Sequence, residues 1–272
     1  MAASTNGYAD VNGARIYYET AGEGHPLVFV HAGIADSRMW DDQFAVFAKH
    51  YRVIRYDQRG YGKSEPVAGE FSFRDDLVAL LRFLKIEPAY IVACSMGGGT
   101  AIDLCLEHAE MVDALALVCS SPSGLQLDVP PPTQFAEIEE AEKKGEWERI
   151  NELETQIWVD GVGRTSEQVK GSVRARVLEM NRLALEHERK HLGSRLAPLQ
   201  PLASEHLAEL HLPVLVVIGD RDTAYSQAAG DYMAAHIAGA RKAVITNTAH
   251  LPNMEEPEVF NQILAEFLES AR

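Results

Sequence analysis

The sequence predicts an α/β protein whose mostly parallel sheet is covered by helices on both faces. Strand-like and helix-like segments alternate up to residue 121 and again from residue 203 onward. Strands such as "PLVFVHAG" and "LPVLVVIGD" are continuous apolar runs, as expected of strands that are buried on both faces. In such layered proteins the functional groups gather at the carboxyl ends of the strands.

The predicted elements of the first half follow in a regular order. "YADVNGARIYYETAG" predicts two strands joined at Asn12-Gly13, a strong hairpin signal. "DSRMWDDQFAVFAKH" predicts a helix capped by Asp36 or Ser37, and "YRVIRYD" predicts a strand. "SFRDDLVALLRFLKI" predicts an amphipathic helix. It is followed by a predicted strand, helix and strand in "AYIVACS", "MGGGTAIDLCLEHA" and "VDALALVCS".

The alternation is interrupted between residues 122 and 202. This block holds charged, helix-like stretches such as "FAEIEEAEKKGEWERINELETQIWVDG" and no convincing strand. Strands and helices resume with "LPVLVVIGD", "SQAAGDYMAAHI", "RKAVITNTAH" and "PEVFNQILAEFLES". We therefore expect a core formed by residues 1–121 and 203–272, with a helical cap inserted at 122–202 over the carboxyl edge of the sheet.

Composition excludes several classes of function. With a net charge of −15, the chain does not have the excess of basic residues that is typical of proteins binding nucleic acid or anionic membranes. Three cysteines in 272 residues do not indicate a disulfide framework. The N-terminal stretch has no signal-peptide pattern, and no apolar run approaches the roughly 20 residues of a membrane span. We expect a cytoplasmic protein without nucleic-acid or membrane partners.

The glycine-rich segment "IVACSMGGGT" predicts either a phosphate-binding loop or a turn that presents a nucleophile. "DQRGYGKS" ends like a P-loop, but Asp57 stands where that pattern requires its first glycine. Gly97, Gly98 and Gly99 are consecutive, which also fails the dinucleotide fingerprint. Nucleotide binding is therefore disfavoured.

A nucleophile turn at Ser95 fits the segment better. Ser95 follows a buried strand and precedes a helix, with the small residues Ala93 and Gly97 on either side, as a sharp strand-to-helix turn requires. The alternative is a serine that merely caps the turn. A nucleophilic serine needs a histidine and a carboxylate, each placed after a later strand. "VLVVIGDRD" supplies Asp220 and Asp222, and "AVITNTAH" supplies His250.

These motifs together resemble the α/β-hydrolase family over nearly the whole chain. The matching segments are His31–Gly33, Asp57–Ser64, Ala93–Gly97, Gly219–Asp222 and Ala249–Pro257. Small alanines replace usual family glycines in three of these segments. The resemblance implies an eight-stranded sheet with an inserted cap and a catalytic triad, and it explains the P-loop-like segment as a family motif.

The resemblance also implies the site residues. Ser95 would be the nucleophile, His250 the base, and Asp222, favoured over Asp220 by the Gly-x-x-Asp pattern, the orienting acid. The N–H groups of Met96 and Gly33 would hold the oxyanion, with Ile34 as the fallback for Gly33. The residues expected to line the substrate pocket adjoin these positions or lie in the cap: Ile34, Trp158, Tyr225 and Leu251.

Other chemistry-bearing residues are given structural roles. We expect His31 to brace the oxyanion loop, Arg59 to pin the loop around Asp57, and Cys94 to be a core cysteine. The remaining histidines and cysteines show no metal-binding spacing, so we predict no metal and no cofactor.

The expected reaction is hydrolysis of a carboxylic ester of a small, largely apolar molecule. A lactonase similar to the 3-oxoadipate enol-lactonase group is the first alternative, and Arg38, Arg174 or Arg176 would then supply a cation for an anionic lactone. Carbon–carbon bond hydrolysis and perhydrolysis use the same triad. A hydrolase-fold ligand receptor is the alternative from outside the enzymes.

Overall fold

The computed structural model describes residues 4–271, so the outermost ends of the two predicted core segments lie outside the described residues. The strands of the described chain are β1 Ser4–Val11, β2 Ala14–Ala21, β3 Pro26–Val30, β4 Arg52–Tyr56, β5 Glu70–Phe71, β6 Ala89–Cys94, β7 Val112–Val118, β8 Ser194–Arg195, β9 Val214–Gly219 and β10 Arg241–Ile245.

The helices alternate with these strands as predicted in both halves of the core. They are α1 Asp41–Phe47, α2 Phe73–Phe83, α3 Met96–Glu107, α4 Gln134–Lys144, α5 Trp147–Thr155, α6 Gly171–Glu188, α7 Ala224–His236, α8 Pro252–Glu255 and α9 Pro257–Ser270. A single 3-10 turn, Ser37–Trp40, precedes α1, and the Asp36 side chain caps it by accepting the N–H of Arg38.

The predicted mostly parallel, eight-stranded sheet is confirmed. Its strands lie in the order β1-β2-β4-β3-β6-β7-β9-β10. Every neighbouring pair from β4 to β10 is parallel, whereas β1 and β2 form an antiparallel edge. The Asn12-Gly13 hairpin is confirmed as well, since Val11 pairs with Ala14 across it.

Both faces of the sheet are covered. Strand β3 illustrates this: Leu27 and Phe29 belong to one apolar cluster, and Val28 and Val30 belong to another. Helices α1 and α9 contribute to the first cluster, and α2, α3 and α7 contribute to the second. A strand buried on both faces has no polar side to alternate with, and this explains its continuous apolar sequence.

The segment between β7 and β9 holds α4, α5 and α6, which pack together partly through their own small cluster of Ala141, Ile150 and Leu185. One difference from the sequence analysis is β8, a two-residue strand that pairs in parallel with β5 away from the main sheet. A strand this short is invisible to periodicity, because alternation needs about four residues to show. Whether residues 122–202 act as a separate cap stays a prediction.

No helix within residues 4–271 combines the length and the apolar character needed to cross a bilayer.

Candidate active site

Ser95 occupies a strained turn between β6 and α3. Its backbone has φ 52° and ψ −116°, a conformation that non-glycine residues rarely adopt. The backbone N–H of Ser95 donates to the carbonyl of Val118 at 2.9 Å, which anchors the turn to β7. The side chain does not cap α3. Its hydroxyl also makes no hydrogen bond with any residue from 4 to 271. These contacts favour a presented hydroxyl over a capping serine.

A glycine is needed at position 97 because α3 begins close against the end of β3. A Cβ atom on Gly97 would lie 2.6 Å from the carbonyl oxygen of His31 and 2.8 Å from Cγ1 of Val30. Position 97 therefore requires a small residue, as predicted, because the end of β3 leaves no room for a side chain there. The first turn of α3, with its unpartnered N–H groups, is thereby held at the carboxyl edge of the sheet.

Asp222 and His250 form a buried pair at the same edge. The Nδ1 atom of His250 lies 2.7 Å from Oδ2 of Asp222, and the Asp222 side chain has no exposed surface. The other carboxylate oxygen of Asp222 accepts the N–H of Thr223 at 2.7 Å. Asp220, the other candidate acid, instead accepts the N–H of Asn247 at 2.6 Å. The geometry therefore pairs the histidine with Asp222.

The loops that carry this pair are packed directly on one another. A Cβ atom on Gly219 would lie 2.1 Å from the carbonyl oxygen of Ala249, so only glycine fits where the acid loop leaves β9. The N–H of Ala249 donates to Glu255 at 2.6 Å, and Glu255 forms a buried ion pair of 2.7 Å with Arg164. Burial raises the pKa of Glu255, and the Arg164 guanidinium opposes that rise. The final family motif thus holds the backbone just before His250.

The segment between β7 and β9 touches His250 through Trp158. The Trp158 and His250 rings lie 4.5 Å apart, centroid to centroid, and the N–H of His250 donates to the Trp158 carbonyl at 3.1 Å. Trp158 lies in a π-helical turn, Gln156–Asp160, a form often found at functional sites. Trp158 is therefore in contact with the proposed base, although its role in lining a substrate pocket stays a prediction.

The other three predicted pocket residues have different surroundings. Ile34 and Leu251 are buried in the apolar cluster beneath the site. The hydroxyl of Tyr225 donates to the carbonyl of Leu125 at 3.0 Å. Neither the cavity lined by Ser95 nor the cavity lined by Gly33 includes these three residues, so their lining role also stays a prediction.

The two residues proposed to hold the oxyanion are adjacent. Met96 is the first residue of α3, where backbone N–H groups have no partner within the helix. A Cβ atom on Gly33 would lie 3.7 Å from the Met96 sulfur, which places the loop after β3 beside the nucleophile turn. This adjacency supports the pair without deciding between Gly33 and Ile34.

The loop Asp57–Ser64 braces this region. His31 bonds the Ala32 carbonyl through Nδ1 at 2.8 Å and accepts the N–H of Gln58 at Nε2 at 2.8 Å. Burial lowers the pKa of His31, which keeps the ring neutral and able to accept at Nε2. The expected bracing role of His31 is confirmed. Arg59 anchors the loop through a bidentate bond to Asp76 at 2.8 Å.

Two cavities lie near the proposed site, one lined by Ser95 and the other by Gly33. The larger, of about 630 Å³, is lined by Ser95 and Met96 and also by Arg195. The smaller, of about 320 Å³, is lined by Gly33 and Tyr61 and again by Arg195. Neither Tyr61 nor Arg195 is among the site residues predicted from the sequence. Tyr61 lies within the matched motif Asp57–Ser64, which was a usable signal, whereas nothing in the sequence pattern marks Arg195.

Two buried cysteines, Cys94 and Cys119, lie near the pair. Cys119, Asp222 and His250 offer donor atoms within 4.8 Å of one another. Burial raises the pKa of the Cys119 thiol well above its usual range, so the thiol stays protonated, and it contacts the Ala249 carbonyl at 3.8 Å. The expectation that the chain binds no metal stays a prediction. Cys94 is fully buried, as predicted for a core cysteine.

Known proteins are similar to this chain in sequence and fold. A family model described as "Alpha/beta hydrolase family" matches residues 27–263. 3-Oxoadipate enol-lactonase 1 of Acinetobacter baylyi is 26% identical, over 90% of this chain and 88% of that protein. Non-heme chloroperoxidase CPO-A1 of Kitasatospora aureofaciens is 30% identical, over 94% and 97%. The crystal structure of the enol-lactonase from Burkholderia xenovorans LB400 matches with a TM-score of 0.79 and 26% identity, covering 97% of this chain and all of that one.

Proposed function

The chain belongs to the alpha/beta hydrolase family and is a hydrolase, and on that premise we propose that it cleaves a carboxylic ester of a small, largely apolar substrate through an acyl-enzyme intermediate. The observation that carries this proposal is the buried Asp222–His250 pair at 2.7 Å, held at the same sheet edge as the unpartnered Ser95 hydroxyl. A carboxylate and a histidine so arranged serve to activate a hydroxyl nucleophile.

In the proposed reaction the Ser95 hydroxyl oxygen attacks the ester carbonyl carbon, and its proton passes to Nε2 of His250. Asp222 stabilises the imidazolium that forms, while the N–H groups of Met96 and Gly33 hold the oxyanion. The leaving alcohol then takes the proton from His250 as its bond to the acyl carbon breaks. Water attacks the resulting Ser95 ester by the same route and releases the acid. The hydrogen bond between the Ser95 hydroxyl and Nε2 of His250 would form when substrate binds, since catalytic hydrogen bonds of this kind often tighten only in the complex.

The larger cavity has both apolar and polar lining. Next to Ser95 it is lined by the apolar residues Met96, Pro122, Leu196 and Pro198, and also by Asp103 and Arg195. The apolar part can bind a hydrocarbon portion of the substrate by burial. The proposed compartment is the cytoplasm, on the ground that the described cysteines are free thiols.

A fluorophosphonate tests the nucleophile directly. We expect one equivalent to bind covalently, because the Ser95 oxygen attacks phosphorus, fluoride leaves, and the proton passes to His250. Mass spectrometry should place the adduct on the peptide that contains residue 95, and Ser95→Ala should abolish labelling. An adduct on another serine, or none on the wild-type protein, would contradict the proposed mechanism.

Lactone hydrolysis is the second candidate function, and Arg195 is the observation that favours it. The three arginines first considered for an anionic lactone are each engaged by carboxylates: Arg38 by Asp36 and Glu179, Arg174 by Glu152 and Asp160, Arg176 by Asp41 and Asp42. Arg195 forms no ion pair with a carboxylate of the described chain and lies 4.8 Å over the Phe73 ring, between the two cavities. An unpaired guanidinium there would bind a substrate carboxylate.

Replacing Arg195 by glutamine is expected to separate anionic from neutral substrates. If Arg195 binds a substrate carboxylate, kcat/KM for a monoester of a dicarboxylic acid should fall about 10-fold, the effect of losing one charged hydrogen bond. The neutral diester of the same acid should be unaffected. Arg189→Gln, an exposed arginine outside both cavities, is the control. An equal fall for both esters would mean that Arg195 acts on the fold and not on substrate charge.

A further inference from the structure

The phenol group of Tyr61 stands beside the proposed oxyanion residues. Its oxygen lies 3.5 Å from the Met96 sulfur, and a Cβ atom on Gly33 would lie 3.9 Å from it. The thioether sulfur is its hydrogen-bond partner among the described residues, and sulfur of this kind is a weak acceptor. The O–H of Tyr61 is therefore a donor without a strong acceptor, at the wall of a cavity that Gly33 also lines.

The surrounding contacts hold this hydroxyl in place. The backbone N–H of Tyr61 donates to the carbonyl of Gln58 at 2.9 Å, and its carbonyl accepts the N–H of Ser64 at 2.8 Å. Its ring packs against the His31 ring at 5.1 Å and the Phe73 ring at 6.1 Å, centroid to centroid. A donor fixed before the substrate arrives costs no reorganisation during the reaction, which is the property that makes oxyanion donors effective.

The hydroxyl also keeps its proton. Burial raises the pKa of Tyr61 to about 12, and the nearby carboxylate of Glu188 adds to the rise. At neutral pH the phenol therefore acts as a donor and carries no negative charge that would repel an oxyanion.

We propose that the hydroxyl of Tyr61 donates a hydrogen bond to the substrate carbonyl oxygen, as a third oxyanion donor beside the N–H groups of Met96 and Gly33. The bond strengthens as negative charge develops on that oxygen, and the proton stays on Tyr61 throughout. This inference rests on the proposed serine-hydrolase function. Tyr61 would then take part in the reaction itself, in addition to the structural role of the Asp57–Ser64 loop.

The test is Tyr61→Phe, which removes one oxygen and keeps the ring packing. With 4-nitrophenyl acetate we expect kcat to fall about 10²-fold, the usual effect of losing one oxyanion donor, with KM within about twofold. Binding of a trifluoromethyl ketone, whose adduct on the nucleophile carries an oxyanion, should weaken by a similar factor. Tyr232→Phe is the matched control, because the hydroxyl that it removes bonds, among residues 4–271, the Ser204 carbonyl at 3.3 Å.

The outcomes separate this inference from the proposed function. Wild-type kcat in Tyr61→Phe, or a change in KM alone, would overturn the oxyanion role of Tyr61 even if fluorophosphonate labels Ser95. A fall in kcat without any loss of ketone affinity would overturn it too, because that result indicates a structural effect. Failure of the wild-type protein to react with fluorophosphonate at Ser95 would instead overturn the serine-hydrolase function itself.

Discussion

Replacing Ser95 by alanine is expected to lower kcat for 4-nitrophenyl acetate by about 10⁶-fold, the loss seen when a triad that acts as a unit is deprived of its nucleophile. Alanine and serine have the same Cβ, so the φ of 52° is equally strained in both and the turn should persist. What disappears is the hydroxyl of Ser95, a residue that lines the larger cavity together with Met96. Steady-state nitrophenol release at matched enzyme concentration measures the loss.

Ser120→Ala is the matched control for this substitution. Ser120 also follows a buried strand, but its hydroxyl donates to the Val118 carbonyl at 2.9 Å and is itself buried. Losing that bond should cost about 1 kcal/mol of stability and leave kcat within a few-fold of the wild-type value. Turnover above about 1% of wild type in Ser95→Ala would mean that another group attacks the ester.

The parts of this site that the sequence predicts are those with local signals. The turn at Ser95 could be predicted because a sharp strand-to-helix turn requires small residues within a few positions of the serine. Gly97 is such a residue, since a Cβ atom at this position would clash with the end of β3. The strands were recognisable because β3 and β9 are buried on both faces and read as unbroken apolar runs. Order along the chain then placed Asp222 and His250 after successive strands.

The remaining features depend on contacts between residues far apart in the chain. The Arg164–Glu255 pair joins the segment between β7 and β9 to the segment that follows His250, and no spacing pattern in the sequence predicts such a pair. Arg195 became a candidate only because its lack of a carboxylate partner within the described chain is visible in three dimensions. Arg38, Arg174 and Arg176 lost that role for the opposite reason, since carboxylates engage all three. The sequence shows which residues are charged, but it does not show which of them form ion pairs in the folded chain.

Replacing Asp222 by asparagine is expected to lower kcat for the same ester by about 10⁴-fold, or about 5 kcal/mol of transition-state stabilisation. Asparagine has almost the same shape as aspartate, so the expected loss of kcat comes from replacing one hydrogen-bond acceptor oxygen by an NH₂ donor. Asp222 accepts hydrogen bonds from the N–H of Thr223 and from Nδ1 of His250, each at 2.7 Å, one at each carboxylate oxygen. An amide has only one oxygen to offer, so it can satisfy only one of them.

The backbone N–H of Thr223 cannot reverse its polarity, whereas the imidazole can exchange its proton between nitrogens. We therefore expect the asparagine oxygen to face Thr223 and its NH₂ group to face His250. That arrangement turns Nδ1 of His250 into an acceptor and moves the ring proton to Nε2, the nitrogen that must take the proton of Ser95. Nitrogen NMR of the His250 ring should show protonation at Nε2 in Asp222→Asn and at Nδ1 in the wild type.

Asp220→Asn is the control that separates tautomer control from loop damage. Asp220 lies in the same loop and accepts the N–H of Asn247 at 2.6 Å, but it does not reach His250. An asparagine oxygen can accept that single bond equally well, so kcat should stay within a few-fold of wild type. Comparable losses in the two variants would place the effect in the loop, and full activity in Asp222→Asn would remove Asp222 from the triad. A large loss in Asp222→Asn alone, together with the Nε2-protonated ring, would show that the 2.7 Å bond sets the state of the base.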